Sequence, residues 1–265
     1  MTLRKTNICD ELPRSWVKEN KKIIIIPARL GASRLPGKLL AEIDGKPMIQ
    51  LVWERAIAAD IAPVYVATDD HDIANVITSL GGKALMTRTD HPSGSDRIFE
   101  AVETIDPDKN ISQILNLQGD LPELSPDIPH LLGVILDQGD TDLATLVTPA
   151  SQDEASRSQV VKAVVSWKDE TFGKAIYFSR AAVPTGTNAL WHHIGVYGWR
   201  RDALARFVRQ PPSPLELAEK LEQLRALELG MTITVGKISN APGGIDTPED
   251  LEAARLRAAA TKRDD

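Results

Sequence analysis

The hydrophobic pattern changes period along the chain, and each change marks an element. Ile23, Ile24, Ile25 and Ile26 form an unbroken β-branched run, the pattern of a strand buried on both faces. After the turn Asp44-Gly45-Lys46-Pro47, Ile49, Val52, Trp53 and Ala56 recur at helical spacing, with Pro47 suited to the first helical turn. Residues 62–68 predict a second strand ending in Asp69-Asp70, and a helix follows through Ile73, Val76, Ile77 and Leu80 until Gly81-Gly82 stops it. Residues 83–87 predict a third strand, and the small-and-charged segment 90–97 leads into a helix through Thr104. Residues 111–117 predict a fourth strand that empties into Gln118-Gly119-Asp120. Strands alternating with helices predict an α/β protein with a doubly wound, mostly parallel sheet. The loops starting at Pro27, Thr68, Thr87 and Gln118 then converge at the carboxyl ends of the strands, where such sheets bind ligands.

From about Asp140 the strand-like segments crowd together: 144–148, 160–167, 174–178 and 194–199, with little helix between them. They predict an antiparallel or mixed layer, with 185–190 a mobile surface loop carrying Gly186 and Asn188. Helices are expected over 201–209 and 215–229, a last strand over 232–235 and a closing helix over 248–262 capped by Thr247. The division that follows is an N-terminal extension (1–20), a core (21–140), a mixed-sheet region (141–235) and a return to the core with the C-terminal helix (236–265). No repeat, low-complexity run or linker separates these parts.

Composition narrows the class. A chain of 265 residues, 42% hydrophobic and 26% charged, is long enough for one large α/β domain. Its formal net charge of −6 argues against general nucleic-acid binding, so a basic loop within it reads as a local anion site. Cys9 is the single cysteine, which rules out an internal disulfide and fits a reducing cytoplasm. No apolar run reaches the length of a membrane span, and residues 1–20 lack the apolar core of a secretory signal, so a cytoplasmic protein is expected.

The loop after the first strand carries the clearest chemistry. Arg29, Arg34 and Lys38 bring positive charge, while Gly31, Ala32, Ser33 and Gly37 let the backbone approach a ligand, a combination that suits a polyphosphate. It is not a Walker loop, because Leu39 follows Lys38 and no hydroxyl stands ready for magnesium. A solvated basic loop is the plainer alternative. Asp120, just past a buried strand, is placed where phosphates bind, and with Asp246 it would give a hard cation such as Mg2+ two carboxylate ligands. Asp246, before Thr247-Pro248-Glu249-Asp250, equally suits a turn or helix cap. Glu222 is the third carboxylate that stands out, on a helix. His91, His192 and His193 match no zinc spacing, and Ser95, Ser179 and Ser213 lack a nucleophile-elbow context.

Several blocks follow one another from about Lys22 to Arg255. They are Ile26-Pro27-Ala28-Arg29 with Ser33-Arg34-Leu35-Pro36-Gly37-Lys38, Gly45-Lys46-Pro47-Met48-Ile49, Ala67-Thr68-Asp69, and Asp90-His91 with Ser93-Gly94 and Arg97. Asn116 and Gln118-Gly119-Asp120, Tyr177-Phe178-Ser179-Arg180, His193-Ile194-Gly195 with Tyr197-Gly198, and Ser213-Pro214-Leu215-Glu216 continue the series. Leu221-Glu222-Gln223-Leu224-Arg225 and Asp246-Thr247-Pro248-Glu249-Asp250-Leu251 complete it. In this order the blocks resemble the 3-deoxy-manno-octulosonate cytidylyltransferase family.

The resemblance implies a Rossmann-like nucleotidyltransferase sheet with a smaller strand-rich dimerisation region, and hence a homodimer. The activity it implies is transfer of CMP from CTP to the anomeric hydroxyl of 3-deoxy-manno-octulosonate (KDO) for lipopolysaccharide biosynthesis, releasing pyrophosphate. On that basis Arg29, Lys38, Asp120 and Asp246 are catalytic, with Asp120 and Asp246 carrying Mg2+. Ala28, Arg29, Arg34, Lys38, Ser93 and Gln118 seat the nucleotide, and Arg97, Arg180, His193, Tyr197, Glu222 and Gln223 line the sugar side. Two departures bear on the acceptor: Leu121 stands where the family often has Glu, with Glu123 as a substitute to consider, and the 184–191 loop lacks the Trp and Arg commonly found directly after the family's Ser-Arg-x-x-Ile-Pro. Alternative acceptors are therefore 8-amino-KDO or a nonulosonate, and the alternative of another class is a non-catalytic nucleotide-binding protein of the same fold.

Overall fold

The computed structural model describes residues 22–29, 31, 35–186 and 189–264. The expected extension 1–20, Cys9, Ala32, Ser33, Arg34 and Asn188 lie outside the described residues. The described chain forms two compact units, one within residues 22–129 and 242–264 and the other within residues 130–241.

In the first unit β1 (Lys22–Ala28) is the buried isoleucine run; Ile24, Ile25 and Ile26 are all 0% exposed. A strand flanked on both sides accounts for that burial: β1 pairs in parallel with β4 (Val64–Thr68) and with β6 (Gln113–Asn116). β5 (Lys83–Met86) adds beyond β4, giving the order β5-β4-β1-β6. Between β1 and β4 stand a 3-10 turn (Lys38–Leu40), a hairpin of β2 (Glu42–Ile43) and β3 (Lys46–Pro47), and α1 (Met48–Ala58). The expected four-residue turn is tighter than the sequence suggests. Only Asp44 and Gly45 turn, at φ 54 and 74, the left-handed pair that matches a two-residue hairpin to strand twist, and Pro47 precedes the helix as its cap residue.

Helix α2 (His71–Ser79) starts on Asp70, whose carboxylate accepts the Ile73 N–H at 2.9 Å. Helix α3 (Gly94–Ile105) starts on Ser93, and α9 (Pro248–Asp264) on a reciprocal pair, Thr247 Oγ1 accepting from Asp250 N–H and Asp250 Oδ2 accepting from Thr247 N–H at 2.9 Å. Helix α4 (Asp127–Leu136), which the hydrophobic reading did not mark, leads into the second unit. Its dense apolar face, with Leu131, Leu132, Ile135 and Leu136 buried, hides its period, and Pro129 in its first turn reads as a break.

The second unit is built on β7 (Leu143–Pro149), β8 (Lys162–Trp167), β9 (Phe172–Ser179), β10 (Trp191–Arg200) and β11 (Ile233–Lys237), with a short α5 (Gln152–Ser156) between β7 and β8. Their order is β10-β7-β11-β9-β8, mixed in direction: β11 runs parallel to β7 and antiparallel to β9. The start of β10 also pairs with β8, Trp191 opposite Ala163 and His192 opposite Lys162, so the strands close on themselves at that corner. Helix α6 (Arg201–Val208) follows β10. The helix expected over 215–229 is two helices, α7 (Pro214–Glu219) and α8 (Gln223–Glu228), because Lys220 turns left-handed at φ 56 and breaks the ladder.

Candidate active site

The first unit holds a cleft of about 440 Å3 at the carboxyl ends of β1 and β6, lined by the loops that follow those strands, the start of α3 and Asp246. Arg29, directly after β1, is exposed there, and Ala28 is buried at the cleft wall. Gly37 at φ 71 makes the left-handed step that opens the 3-10 turn, and buried Leu39 anchors that turn. Lys38 is thereby aimed inward, and the three protons of its ammonium meet three acceptors: Asp120 Oδ2 at 2.7 Å, Ile245 O at 3.1 Å and Asp246 Oδ1 at 3.1 Å. Burial works against this charge, but Asp120 and then Asp246 outweigh it and hold the ammonium above the ordinary lysine range.

Two backbone features bring these groups together. Ile245 N–H donates to the Asp120 carbonyl at 3.0 Å, pinning the segment before α9 beside the end of β6. Gly119 lies so close to the 3-10 turn that a Cβ there would stand 3.2 Å from Leu39 Cδ2, tighter than ordinary packing. The ambiguity of Asp246 between cap and ligand also resolves. Capping of α9 falls to Thr247 and Asp250, and the Asp246 carboxylate faces Lys38.

The donor set fits a hard divalent cation. Oxygens from Asp120 and Asp246 already converge on one cationic centre, and among the described residues no group of three or more His, Cys, Asp or Glu forms a closed metal cage. A carboxylate pair that leaves its remaining positions to phosphate oxygens and water is the magnesium pattern. Leu121 is buried and lies 3.5 Å from where a Cβ on Gly244 would be, so packing under the 243–244 segment replaces the family's Glu. The Glu123 carboxylate receives Arg257 Nε at 2.8 Å.

Other residues of the cleft are tied down by neighbours. Ser93 Oγ donates to Asp96 Oδ2 at 2.6 Å and accepts from Asp96 N–H at 3.3 Å, so the hydroxyl expected to seat the nucleotide also caps α3. Gln118 lines the cleft beside Gly119. Arg97 lines it as well, 3% exposed, with Nη2 donating to Asp69 Oδ2 at 2.7 Å and Nη1 to Thr87 Oγ1. Arg97, expected on the sugar side, thus lines the same cleft as Lys38 and Asp120, where its bonds to Asp69 and Thr87 join the ends of β4 and β5 to α3. His91, which spacing alone marks as isolated, also lines the cleft and pairs through Nε2 with Glu100 of α3. Its partner nine positions away on the next helix is the signal that a search for zinc spacing passes over.

The remaining expected residues cluster in the second unit. His193, 6% exposed, pairs through Nε2 with Thr145 Oγ1 at 2.9 Å, and Gln223 Nε2 lies 3.5 Å from its Nδ1. Thr145 Oγ1 also donates to the Val196 carbonyl at 2.9 Å, inside the bulge where β10 shifts register against β7. Because that hydroxyl donates to main chain, it accepts from His193, and the network assigns a neutral ring protonated on Nε2 with Nδ1 open to the Gln223 amide. Tyr197 stands 5.7 Å from the His193 ring, and burial followed by the charge of Glu222 raises its phenol well above the ordinary range. Arg180 donates from Nε to Glu219 O at 2.9 Å, from Nη1 to Ser158 O at 3.2 Å and from Nη2 to Lys220 O at 3.3 Å.

Burial, with the charge of His192 second, pushes the His193 imidazole from 6.5 down to about 3. A depressed folded value means the unfolded chain takes up the proton first. The stability that neutral His193 contributes is whole above about pH 6.5 and is lost as pH falls from there toward about 3. In denaturant titrations, His193→Asn is expected to flatten this loss by on the order of 2–3 kcal/mol between pH 7 and pH 4; equal slopes for variant and wild type would show that His193 titrates normally.

A cationic loop and a converging carboxylate pair at the carboxyl ends of parallel strands define a nucleotidyltransferase-type α/β protein. Residues 23–233 match the Cytidylyltransferase family. The chain is 53% identical over 235 residues to the 3-deoxy-manno-octulosonate cytidylyltransferase of Rhodopseudomonas palustris (strain TIE-1), covering 88% of this chain and 96% of that protein. With the enzyme of the same name from Azorhizobium caulinodans it is 51% identical over 239 residues, covering 90% and 96%. A solved CMP:2-keto-3-deoxy-manno-octonic acid synthetase complexed with CTP matches with a TM-score of 0.84 at 40% identity, over 91% of this chain and 100% of that one. The chain belongs to the 3-deoxy-manno-octulosonate cytidylyltransferase family. No described helix is long and apolar enough to cross a membrane.

Proposed function

We propose that this protein transfers CMP from CTP to the anomeric hydroxyl of KDO, forming CMP-KDO and releasing pyrophosphate. The observation that carries this reading is the convergence of Asp120 and Asp246 on Lys38 within the cleft of β1 and β6. In the reaction the sugar oxygen bonds to the α-phosphorus as the bond to the β-phosphate oxygen breaks, and the hydroxyl proton is lost to solvent. Negative charge builds on the phosphoryl oxygens and the departing pyrophosphate, so the barrier falls with positive charge fixed in place before the reaction.

Arg29, exposed at the cleft mouth, meets the triphosphate, and Lys38 neutralises it deeper in the cleft. His91, held by Glu100, and Arg97, held by Asp69, shape the wall against which the nucleotide is oriented. Asp120 and Asp246 would hold magnesium, which would supply further charge neutralisation at the phosphates. The neutral His193 with Gln223, Tyr197 and Glu222 forms the acid-sugar cluster, in which polar hydrogen bonds discriminate among acceptors. The strand-rich second unit, with Ile176 of β9 54% exposed, supports a homodimer formed through that unit, and a monomeric mass in solution would contradict it. A cytoplasmic site of action fits the need for CTP.

The acceptor is decided by pyrophosphate release on a panel of KDO, 8-amino-KDO and a nonulosonate at fixed CTP and magnesium. KDO is expected to give the highest kcat/KM; a higher value for either other sugar overturns the assignment.

A further inference from the structure

Between α7 and α8 the chain makes a turn that it does not favour by itself. Lys220 adopts φ 56 and ψ 47, a conformation that glycine takes freely and side-chain-bearing residues avoid. Its amide and that of Leu221 both return to the Glu216 carbonyl, while the carbonyls of Glu219 and Lys220 point away from any helical partner. Arg180 supplies those partners: Nε donates to Glu219 O at 2.9 Å and Nη2 to Lys220 O at 3.3 Å. The third nitrogen, Nη1, donates to Ser158 O at 3.2 Å.

Arg180 is itself held at both ends. Its N–H donates to Glu219 Oε2 at 3.0 Å, next to the 2.8 Å bond from Ser179 Oγ to Glu219 Oε1. Its carbonyl accepts from Lys162 Nζ at 2.7 Å, and the same ammonium donates to Arg157 O at 2.9 Å and Val160 O at 2.8 Å. Lys162 is 0% exposed, and its three protons are matched by three main-chain carbonyls. Residues 157–160, 179–180 and 219–220 are therefore one cation-and-carbonyl network. Two and three positions beyond the turn come Glu222 and Gln223, and the Gln223 amide lies beside His193 Nδ1.

We propose that Arg180 is a positioning residue that fixes the left-handed turn at Lys220, and through it Glu222 and Gln223 beside His193. Three of its five guanidinium N–H groups serve main-chain carbonyls, two on the adjacent Glu219 and Lys220 and one on Ser158, which ties the planar head to the turn from the side. The inference rests on the acid-sugar reading of the His193, Glu222 and Gln223 cluster given above.

The test is a cycle of Arg180→Ala, Lys220→Gly and the double variant in the full chain, read by steady-state kinetics with CTP and KDO and by thermal melting. Arg180→Ala is expected to raise the KM for KDO about ten-fold, with the KM for CTP within about two-fold of wild type. Lys220→Gly in the same chain is expected to restore most of the KDO affinity, because glycine takes the turn without Arg180. Lys220→Gly should also raise the melting temperature more in the Arg180→Ala background than in wild type. A double variant as impaired for KDO as Arg180→Ala, with no coupling in melting, overturns the proposal and returns Arg180 to the sugar carboxylate. Should Arg180→Ala fail to fold, Arg180→Lys replaces it in the cycle with the same two readouts. Absence of wild-type turnover with CTP and KDO would defeat the cytidylyl-transfer reading instead, and the melting cycle would still test the turn.

Discussion

Lys38→Met is expected to lower kcat/KM for CTP by about 10²–10³-fold, because it removes a half-buried cation from the place where triphosphate charge must be neutralised. The substitution keeps most of the side-chain volume, so the loss reports charge and not packing. It has a second consequence that requires no substrate. With the ammonium gone, the carboxylates of Asp120 and Asp246, which now bond to Lys38 at 2.7 and 3.1 Å, face each other without a cation between them. The variant should melt below wild type in the absence of divalent ions and should regain more of its melting temperature on adding magnesium than wild type does. A variant that melts like wild type and shows no larger response to magnesium would remove the carboxylate pair from the metal role. Kinetics and melting are independent here.

Asp120→Asn is expected to do something different: turnover falls by about 10²–10³-fold while the KM for CTP changes by less than about three-fold. Lys38 keeps two of its three acceptors, Ile245 O and Asp246 Oδ1, so the cleft holds its shape and the nucleotide still finds its cations. What is lost is a fixed negative charge that places the cationic centre at the reacting phosphate, and charge of that kind counts most as the phosphorus is attacked. A large rise in the KM for CTP with kcat unchanged would show that Asp120 serves binding alone. Both substitutions lower kcat/KM for CTP, and for Asp120→Asn the loss is expected in kcat.

How much of this was legible beforehand depended on whether a residue's surroundings come from its own sequence neighbourhood. The isoleucine run of β1 announced a strand buried on both faces, and its pairing with β4 and β6 produces that burial. Asp120 was legible because a strand-end aspartate needs only the sheet to place it. Asp246 was not, because the spacing Asp246-Thr247-Pro248-Glu249-Asp250 serves equally for a cap, and only the reciprocal Thr247 and Asp250 bonds show which residue does the capping. The break between α7 and α8 was invisible for a physical reason. The leucine period runs straight through Lys220, and the turn is held by Arg180, 40 residues earlier in the chain. Arg97 carries no local sign of its partner, because Asp69, which pairs with it in the cleft, lies 28 residues earlier. His91 matches no zinc spacing because its partner, Glu100, is a single carboxylate on the helix that follows. Local rules located the strands and loops, and tertiary partners decided what each charged side chain faces.

Phosphorus NMR of the protein with CTP, KDO and magnesium observes transfer of the CMP group to the acid sugar directly. A new phosphodiester resonance from CMP-KDO is expected to grow in step with pyrophosphate, with neither signal when KDO is left out. Release of inorganic phosphate or CDP, or pyrophosphate formed without KDO, would contradict this transfer.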